Sequence, residues 1–211
     1  MSPVVLLAGA CVAAVACLVL AEFRRSQSAR VLAKLTASSA FVALAWLLGA
    51  AESHHGCWML LAFALSWIGD LLLLSVRSRV FLAGLAAFLA AHVAFAIAFL
   101  GLPLDRSALV VAAAVMAGTG ALLMRWLWPN LKGFYRVAVT AYVVALVVMA
   151  ASAVAVTGAG GDWRYAAGAL AFAASDVAVA RNRFVAPGAA NKAWGLPLYY
   201  AAQLMFALSL G

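Results

Sequence analysis

The sequence is short of charged residues. Of its 211 residues, 69% are hydrophobic and 9% are charged, whereas about a quarter of the residues of a soluble domain are charged. This shortage excludes a soluble globular protein and predicts an integral membrane protein. Only Asp70 and Asp176 lie inside apolar runs. The acidic residues are Glu22, Glu52, Asp70, Asp105, Asp162 and Asp176.

Several signals of soluble enzymes are missing as well. The three cysteines, Cys11, Cys17 and Cys57, lack the spacing of a disulfide framework or a metal site. The sequence contains no Gly-x-Ser-x-Gly elbow and no glycine-rich phosphate loop. These absences argue against a soluble serine hydrolase and a nucleotide-binding enzyme, and we expect no cofactor.

Positive charge is abundant but scattered. The formal net charge is +8, which by itself would suit a nucleic-acid-binding protein. The basic residues instead separate apolar runs, as they do in membrane proteins whose loop charges set the topology. We therefore expect the lipid bilayer, and no nucleic acid, as a partner.

Eight apolar runs are long enough to cross a bilayer, which takes about 20 helical residues. Strand-like alternation is absent, so we predict an all-α, polytopic membrane helix bundle with eight transmembrane helices. The short connections predict a single membrane-embedded domain over residues 1–211. The predicted spans are 3–21, 31–49, 57–76, 80–100, 107–124, 134–157, 163–181 and 193–210.

Lysine and arginine are unevenly distributed between the loops. The second, fourth and sixth loops hold only Arg106 and Arg164. Because cytoplasmic loops carry the excess of basic residues, we predict that the odd-numbered loops face the cytoplasm and that both termini lie outside it. The basic residues of the odd-numbered loops are Arg24, Arg25, Arg30, Arg77, Arg79, Arg125, Lys132, Arg136, Arg181, Arg183 and Lys192.

The two intramembrane aspartates have similar depths in this topology. Asp70 precedes Arg77 by seven residues and Asp176 precedes Arg181 by five, so they lie about 10 Å and about 8 Å from the cytoplasmic edge. Two carboxylates in one apolar pocket supply an acid and a base, because one tends to stay protonated while the other ionises. Other polar groups in the same half of the membrane are Lys34, Tyr142, Tyr199 and Gln203.

Three interpretations of the aspartates are open. The matched depths favour a catalytic pair. A small membrane transporter with an Asp, Lys and Tyr relay is the first alternative, and it predicts polar residues in both leaflets. The second is a structural bundle whose aspartates pair with Lys34, or hydrogen-bond Ser66 or Ser175, and only join helices.

The histidines do not predict a metal site. His54 and His55 lie in the second, external loop, whereas His92 lies thirteen residues past Arg79, about 20 Å from the cytoplasmic edge. At these heights the three rings do not meet, so we expect no zinc centre. His92 is interpreted as a buried, hydrogen-bonded residue outside the site.

A weak internal similarity links two of the runs. Residues 68–71 and 174–177 share the pattern apolar, small, aspartate, apolar, and they lie four predicted helices apart. This similarity predicts a four-plus-four repeat about a pseudo-twofold axis along the membrane normal.

Four motifs follow one another along most of the chain. They are Ser66-Trp-Ile-Gly-Asp70-Leu-Leu-Leu, the set Gly84, Phe88, His92 and Phe95, Gly168-Ala-Leu-Ala-Phe172-Ala-Ala-Ser175-Asp176, and Tyr199-Tyr200-Ala-Ala-Gln203. In this order and spacing they resemble the YhhN-like lysoplasmalogenase family. One departure is Leu35 after Lys34, where the family usually has proline.

The resemblance implies an eight-helix membrane hydrolase that cleaves the vinyl ether bond of a lysoplasmalogen. The products would be a fatty aldehyde and glycerophosphoethanolamine or glycerophosphocholine, and Asp70 and Asp176 would be the catalytic pair. Protonation of the vinyl ether followed by hydration needs one acid and one carboxylate. The apolar sequence neighbours of Asp70 favour it as the acid, which leaves Asp176 as the base.

The remaining site residues are expected to bind the lysophospholipid substrate. Lys34, together with an arginine or Asn182 of the seventh loop, would hold the phosphate, while Tyr199, Tyr200 and Gln203 would position the glycerol or a water. We expect a bacterial inner (plasma) membrane protein whose active site lies near the cytoplasmic leaflet. The further predicted substrate-binding residues are Ser66, Tyr142 and Ser175.

Overall fold

The computed structural model describes residues 2–75 and 77–211, and within them it contains eight α-helices and no strand. This confirms the predicted all-α class and the number of helices. The predicted end of the third span, Val76, lies outside the described residues. The helices are α1 (Pro3–Phe23), α2 (Gln27–Leu47), α3 (His54–Leu72), α4 (Ser78–Leu100), α5 (Arg106–Leu127), α6 (Phe134–Gly158), α7 (Trp163–Ala180) and α8 (Ala189–Leu208).

Six helices, α1 to α6, are long and apolar enough to cross a membrane. The chain is therefore an integral membrane protein. The last two helices are more polar, since α7 carries Arg164 and Asp176 and α8 carries Asn191 and Lys192. That α7 and α8 also cross the membrane, and that both termini lie outside the cytoplasm, stay predictions.

Side chains in the loops cap the N-termini of several of these helices. Ser53 accepts a hydrogen bond from the Gly56 backbone N–H before α3, and Asp162 accepts one from Arg164 before α7. Asp105 accepts hydrogen bonds from two backbone N–H groups at the start of α5. The first N–H groups of a helix lack partners within it. Two of the six acidic residues therefore have a structural use outside the membrane interior.

Helices that follow one another pack as antiparallel pairs: α1 with α2, α3 with α4, α5 with α6, and α7 with α8. Contacts of α4 with α6 and of α8 with α2 connect these pairs into one bundle. If α1–α4 are exchanged with α5–α8, the contact of α4 with α6 becomes the contact of α8 with α2. However, α8 also packs against α1, whereas the equivalent contact of α4 with α5 is not among the main helix contacts of the described residues. The packing thus fits a four-plus-four repeat only in part, and the repeat itself stays a prediction.

The interior of the bundle is rich in aromatic rings. Phe95 lies at its centre, with ring centroids 4.7 Å from Phe206, 5.4 Å from Phe63 and 6.3 Å from Phe172. These four rings are fully buried. The outer surface is apolar as well, most clearly on α5, as expected of a surface that faces lipid.

Candidate active site

A cavity of about 320 Å³ lies inside the bundle, and all eight helices contribute to its lining. This volume is within the range of small-molecule binding sites. Its walls are largely leucine, valine and phenylalanine side chains, with charged groups at a few positions. Seven of the ten predicted site residues line it: Lys34, Asp70, Tyr142, Ser175, Asp176, Asn182 and Tyr199.

Asp70 of α3 is surrounded by hydrogen-bond donors. Its Oδ1 lies 3.0 Å from the Lys34 ammonium, and its Oδ2 accepts hydrogen bonds of 2.7 Å from both Ser38 and Tyr199. The side chain of Asp70 is 3% exposed. An ammonium and two hydroxyls stabilise the ionised form of a carboxylate. These contacts do not fit the expectation that Asp70 is the protonated acid.

Ser38 is a site residue that the sequence reasoning missed. It lies four residues after Lys34, one helical turn along the same face of α2. This spacing was the signal that could have found it. The Tyr200 hydroxyl is 3.0 Å from Ser38 Oγ and 3.5 Å from the Lys34 carbonyl oxygen. Tyr200 therefore contacts Ser38 and Lys34, the two residues of α2 that contact Asp70.

Three predicted substrate-binding residues lie behind the cavity wall. Ser66, Tyr200 and Gln203 are buried and do not line the cavity. Ser66 precedes Asp70 by one turn and Gln203 follows Tyr199 by one turn. The Ser66 hydroxyl and the Gln203 amide have no hydrogen-bond partner among the residues that the structure describes. Direct contact of these three residues with a substrate would need a rearrangement of the wall.

Asp176 of α7 has a histidine as its closest charged neighbour. Asp176 Oδ2 lies 3.3 Å from His92 Nε2, although the two are not aligned for a hydrogen bond. His92 Nδ1 lies 2.6 Å from the Phe88 carbonyl oxygen, which can only accept, so Nδ1 carries a proton. Two unprotonated acceptors at this distance would repel each other. A proton on Nε2 or Oδ2 would remove this repulsion.

The position of His92 corrects the depth assigned from the sequence. A Cβ added at Gly84 of α4 would lie 2.9 Å from Leu73 and 3.3 Å from Leu72, at the end of α3. The first six residues of α4 therefore extend past the end of α3. Counting from Arg79 therefore overestimated the depth of His92. In addition, α7 continues directly into a π-helical turn, Arg181–Val185, so Arg181 does not mark the end of this helical segment.

Comparisons with known proteins identify the family of the chain. The sequence pattern of the YhhN family matches residues 29–210. The chain belongs to the YhhN family. It is 35% identical over 151 residues to human "Lysoplasmalogenase TMEM86A", which covers 68% of this chain and 61% of the relative.

Further relatives carry similar names. The YhhN-family chain is 36% identical over 177 residues to "Lysoplasmalogenase" of Mycobacterium bovis, covering 77% of this chain and 65% of that protein. It is 35% identical over 149 residues to pig "Lysoplasmalogenase TMEM86B", covering 71% and 61%. The chain thus spans 61 to 65% of the length of these curated relatives. No solved structure matches it.

Two more predicted residues of this YhhN-family site make local contacts. Ser175 donates a hydrogen bond of 2.7 Å to the Phe172 carbonyl oxygen, within its own helix. The Asn182 side chain accepts hydrogen bonds from the Gly188 backbone N–H at 2.9 Å and from Asn191 at 3.4 Å. Asn182 therefore shapes the loop between α7 and α8 at the cavity wall.

In the part of the chain that the structure describes, the carboxylates of Asp70 and Asp176 make no contact with each other. Each has its own basic partner, Lys34 for Asp70 and His92 for Asp176. Both carboxylates and Lys34 line the cavity, whereas His92 is buried and is not part of its lining. Two carboxylates with different basic neighbours on one cavity are groups that acid–base hydrolysis can use.

Proposed function

We propose that this YhhN-family protein is a lysoplasmalogenase. It hydrolyses the vinyl ether bond of lysoplasmenyl-ethanolamine or lysoplasmenyl-choline to a fatty aldehyde and glycerophosphoethanolamine or glycerophosphocholine. The observation that carries the proposal is that Asp70 and Asp176, with different basic partners, line one cavity of about 320 Å³. The names of the relatives support the same activity.

The first step is proton transfer to the β-carbon of the vinyl ether. The Asp176–His92 pair supplies the proton, since its contacts favour holding one between Nε2 and Oδ2. Protonation breaks the carbon–carbon double bond and leaves an oxocarbenium ion. The contacts support the reverse of the assignment made from the sequence, with Asp176 on the acid side.

The second step is addition of water to the oxocarbenium carbon. The Asp70 carboxylate stabilises the cation and accepts the proton that water loses. The resulting hemiacetal then collapses. Its C–O bond to glycerol breaks, the glycerol oxygen takes the proton from Asp70, and the hemiacetal hydroxyl returns its proton to the Asp176–His92 pair. The products leave with both pairs restored.

The proposed location of the reaction is the cytoplasmic leaflet of a bacterial inner membrane. Three basic residues of the odd-numbered loops, Arg30, Arg183 and Lys192, line the same cavity as the aspartates. A vinyl ether lies just below the lipid headgroup, so a cavity that extends from basic residues into apolar walls suits this substrate.

Aldehyde release from lysoplasmenyl-ethanolamine by the purified protein tests the proposal. Asp70→Asn and Asp176→Asn should each lower the rate at least about 100-fold, the usual contribution of an acid or base. The matched control is Asp105→Asn, the same substitution at a helix cap outside the cavity. A 1-acyl lysophospholipid separates vinyl ether cleavage from ester hydrolysis.

Near-normal turnover by either aspartate variant would contradict the paired-aspartate mechanism. Asp70-dependent solute flux in proteoliposomes, without aldehyde release, would favour the transporter instead.

A further inference from the structure

Three charged side chains at one end of the cavity connect α1, α2 and α8. Glu22 Oε2 lies 2.7 Å from Lys192 Nζ and 3.3 Å from Arg30 Nη1. All three residues line the cavity that contains the aspartates. One carboxylate faces two cations, so this cluster, Glu22–Arg30–Lys192, carries an excess of positive charge.

The cluster has unused hydrogen-bonding capacity. Arg30 Nε is buried and has no acceptor from the described part of the chain. Both contacts of Glu22 use Oε2, and Oε1 makes no hydrogen bond to any residue of 2–75 or 77–211. The side chains of Arg30 and Lys192 are 26% and 34% exposed, and ion pairs so accessible to solvent stabilise a fold only weakly. Glu22 Oε1 thus remains available to a ligand, whereas Arg30 Nε becomes available only when the Arg30 side chain moves.

We infer that Glu22, Arg30 and Lys192 bind the headgroup of a zwitterionic lysophospholipid. Arg30 and Lys192 take the phosphate, and Glu22 takes the ammonium of ethanolamine or choline. The excess positive charge matches the single negative charge of a phosphodiester. The inference rests on the proposed function, from which it takes the class of lipid. It adds the residues that bind and select the headgroup.

The distance from this cluster to the aspartates suits such a lipid. Arg30 precedes Lys34 by four residues, one turn or about 6 Å along α2, and Lys34 contacts Asp70. The glycerol of a lysophospholipid separates its phosphate from its sn-1 bond by a comparable length. With the phosphate on Arg30, the sn-1 bond reaches the carboxylate layer and the alkyl chain extends among Leu123, Val139 and Leu146 of the wall.

Glu22 determines the selectivity in this arrangement. A carboxylate beside the phosphate attracts a headgroup that carries an ammonium and repels a free phosphate or an anionic headgroup. A site of Arg30 and Lys192 alone would prefer the more anionic ligand. We therefore expect glycerophosphocholine to compete for the cluster and inorganic phosphate to compete poorly.

Binding of radiolabelled 1-O-alkyl-lysophosphocholine to the purified protein in nanodiscs tests the inference. An alkyl ether is not a vinyl ether, so this measurement does not depend on whether the protein cleaves lysoplasmalogens. Glu22→Gln and Lys192→Gln should each raise the Kd about tenfold, the loss of one charge-assisted contact. The control Arg24→Gln, on an exposed neighbouring residue outside the cavity, should leave the Kd unchanged.

Exchanging the charges, Glu22→Lys with Lys192→Glu, separates a ligand site from a structural ion pair. Arg30 also contacts Glu22, so Arg30→Gln is added to remove the like charge that the exchange would create beside it. In that background the exchange keeps an ion pair between α1 and α8, so a purely structural cluster would recover the Kd of Arg30→Gln alone. A headgroup site would stay weak, because phosphate and ammonium would meet the wrong charges. Recovery by the exchange, equal Kd values for Glu22→Gln and wild type, or competition by inorganic phosphate as strong as that by glycerophosphocholine would overturn the inference.

Discussion

At the scale of single residues, the two aspartates differ through their partners. Asp70 accepts from an ammonium and two hydroxyls, and each of these contacts stabilises its charge. Asp176 faces an imidazole whose other nitrogen already donates to a backbone carbonyl. In the proposed mechanism Asp70 is therefore the carboxylate that accepts the proton of water, and Asp176 with His92 is the pair that first supplies one.

The ion pair of Lys34 and Asp70 predicts a strong effect of removing one partner. Lys34→Met should lower the free energy of unfolding by about 3 to 5 kcal/mol, because it leaves a buried carboxylate unpaired. The double variant Lys34→Met with Asp70→Asn should recover most of this loss, since no charge remains unpaired. Unfolding in detergent, followed by tryptophan fluorescence, measures both.

The exposed Lys132→Met serves as the control for loss of a lysine and should leave stability unchanged. If the single and double variants at Lys34 and Asp70 were equally unstable, the pair would not be the cause.

His92 is predicted to act through its proton. His92→Gln keeps a polar side chain of similar size but cannot hold a titratable proton, so the rate of aldehyde release should fall at least about 100-fold. His55→Gln is the matched control, because His55 Nδ1 also lies 3.0 Å from a backbone carbonyl oxygen, that of Ala98, but His55 Nε2 lies beside the Tyr165 hydroxyl rather than an aspartate. Full activity of the His92 variant would remove the histidine from the mechanism.

At the scale of helices, the offset between α3 and α4 assembles the second acid–base pair. Gly69 of α3 lies under the ring of Phe88, where an added Cβ would approach the ring to 2.6 Å. The carbonyl oxygen of Phe88 in turn faces His92. Gly69, next to the catalytic candidate Asp70, is therefore needed for the close approach of α4 rather than for backbone flexibility.

This contact predicts that Gly69→Ala damages both stability and activity. The added methyl group would overpack the α3–α4 contact at a cost of about 1 to 3 kcal/mol and displace Phe88 from its place beneath His92. The control is Gly118→Ala on α5, where an added Cβ meets no described atom within 4 Å. Thermal midpoints and aldehyde release of the two variants should differ clearly, and similar values would contradict this account.

At the scale of the whole molecule, the helices around the two aspartates correspond under the predicted repeat, although the basic partners do not, since Lys34 lies on α2 and His92 on α4. Asp70 contacts residues of α2 and α8, whereas Asp176 lies beside His92 of α4, against which Tyr142 of α6 packs at 4.9 Å. Under a four-plus-four exchange, α2 and α8 become α6 and α4. Each aspartate would thus draw one partner from its own half and one from the other half, and divergence of these partners would explain their different roles.

The predicted topology can be tested with cysteines. Cys57 is exposed near the start of α3, which should lie at the outer surface, so a membrane-impermeant maleimide should label it in intact cells. In a background without native cysteines, Asn130→Cys in the fifth loop should react only after the cells are permeabilised. The opposite pattern would invert the topology and place the cavity at the outer leaflet.

The sequence by itself determined the membrane class and the number of helices and singled out Asp70 and Asp176, because hydrophobicity and loop charge are local properties. It also identified Lys34 and Tyr199 as residues of the aspartate layer, since both lie a short helical distance from a basic loop. Only the tertiary structure decided that His92 joins Asp176 and that Ser38 joins Asp70. Which side chains meet depends on how far helices are shifted and rotated against each other, and residue counts from the loops do not contain that information.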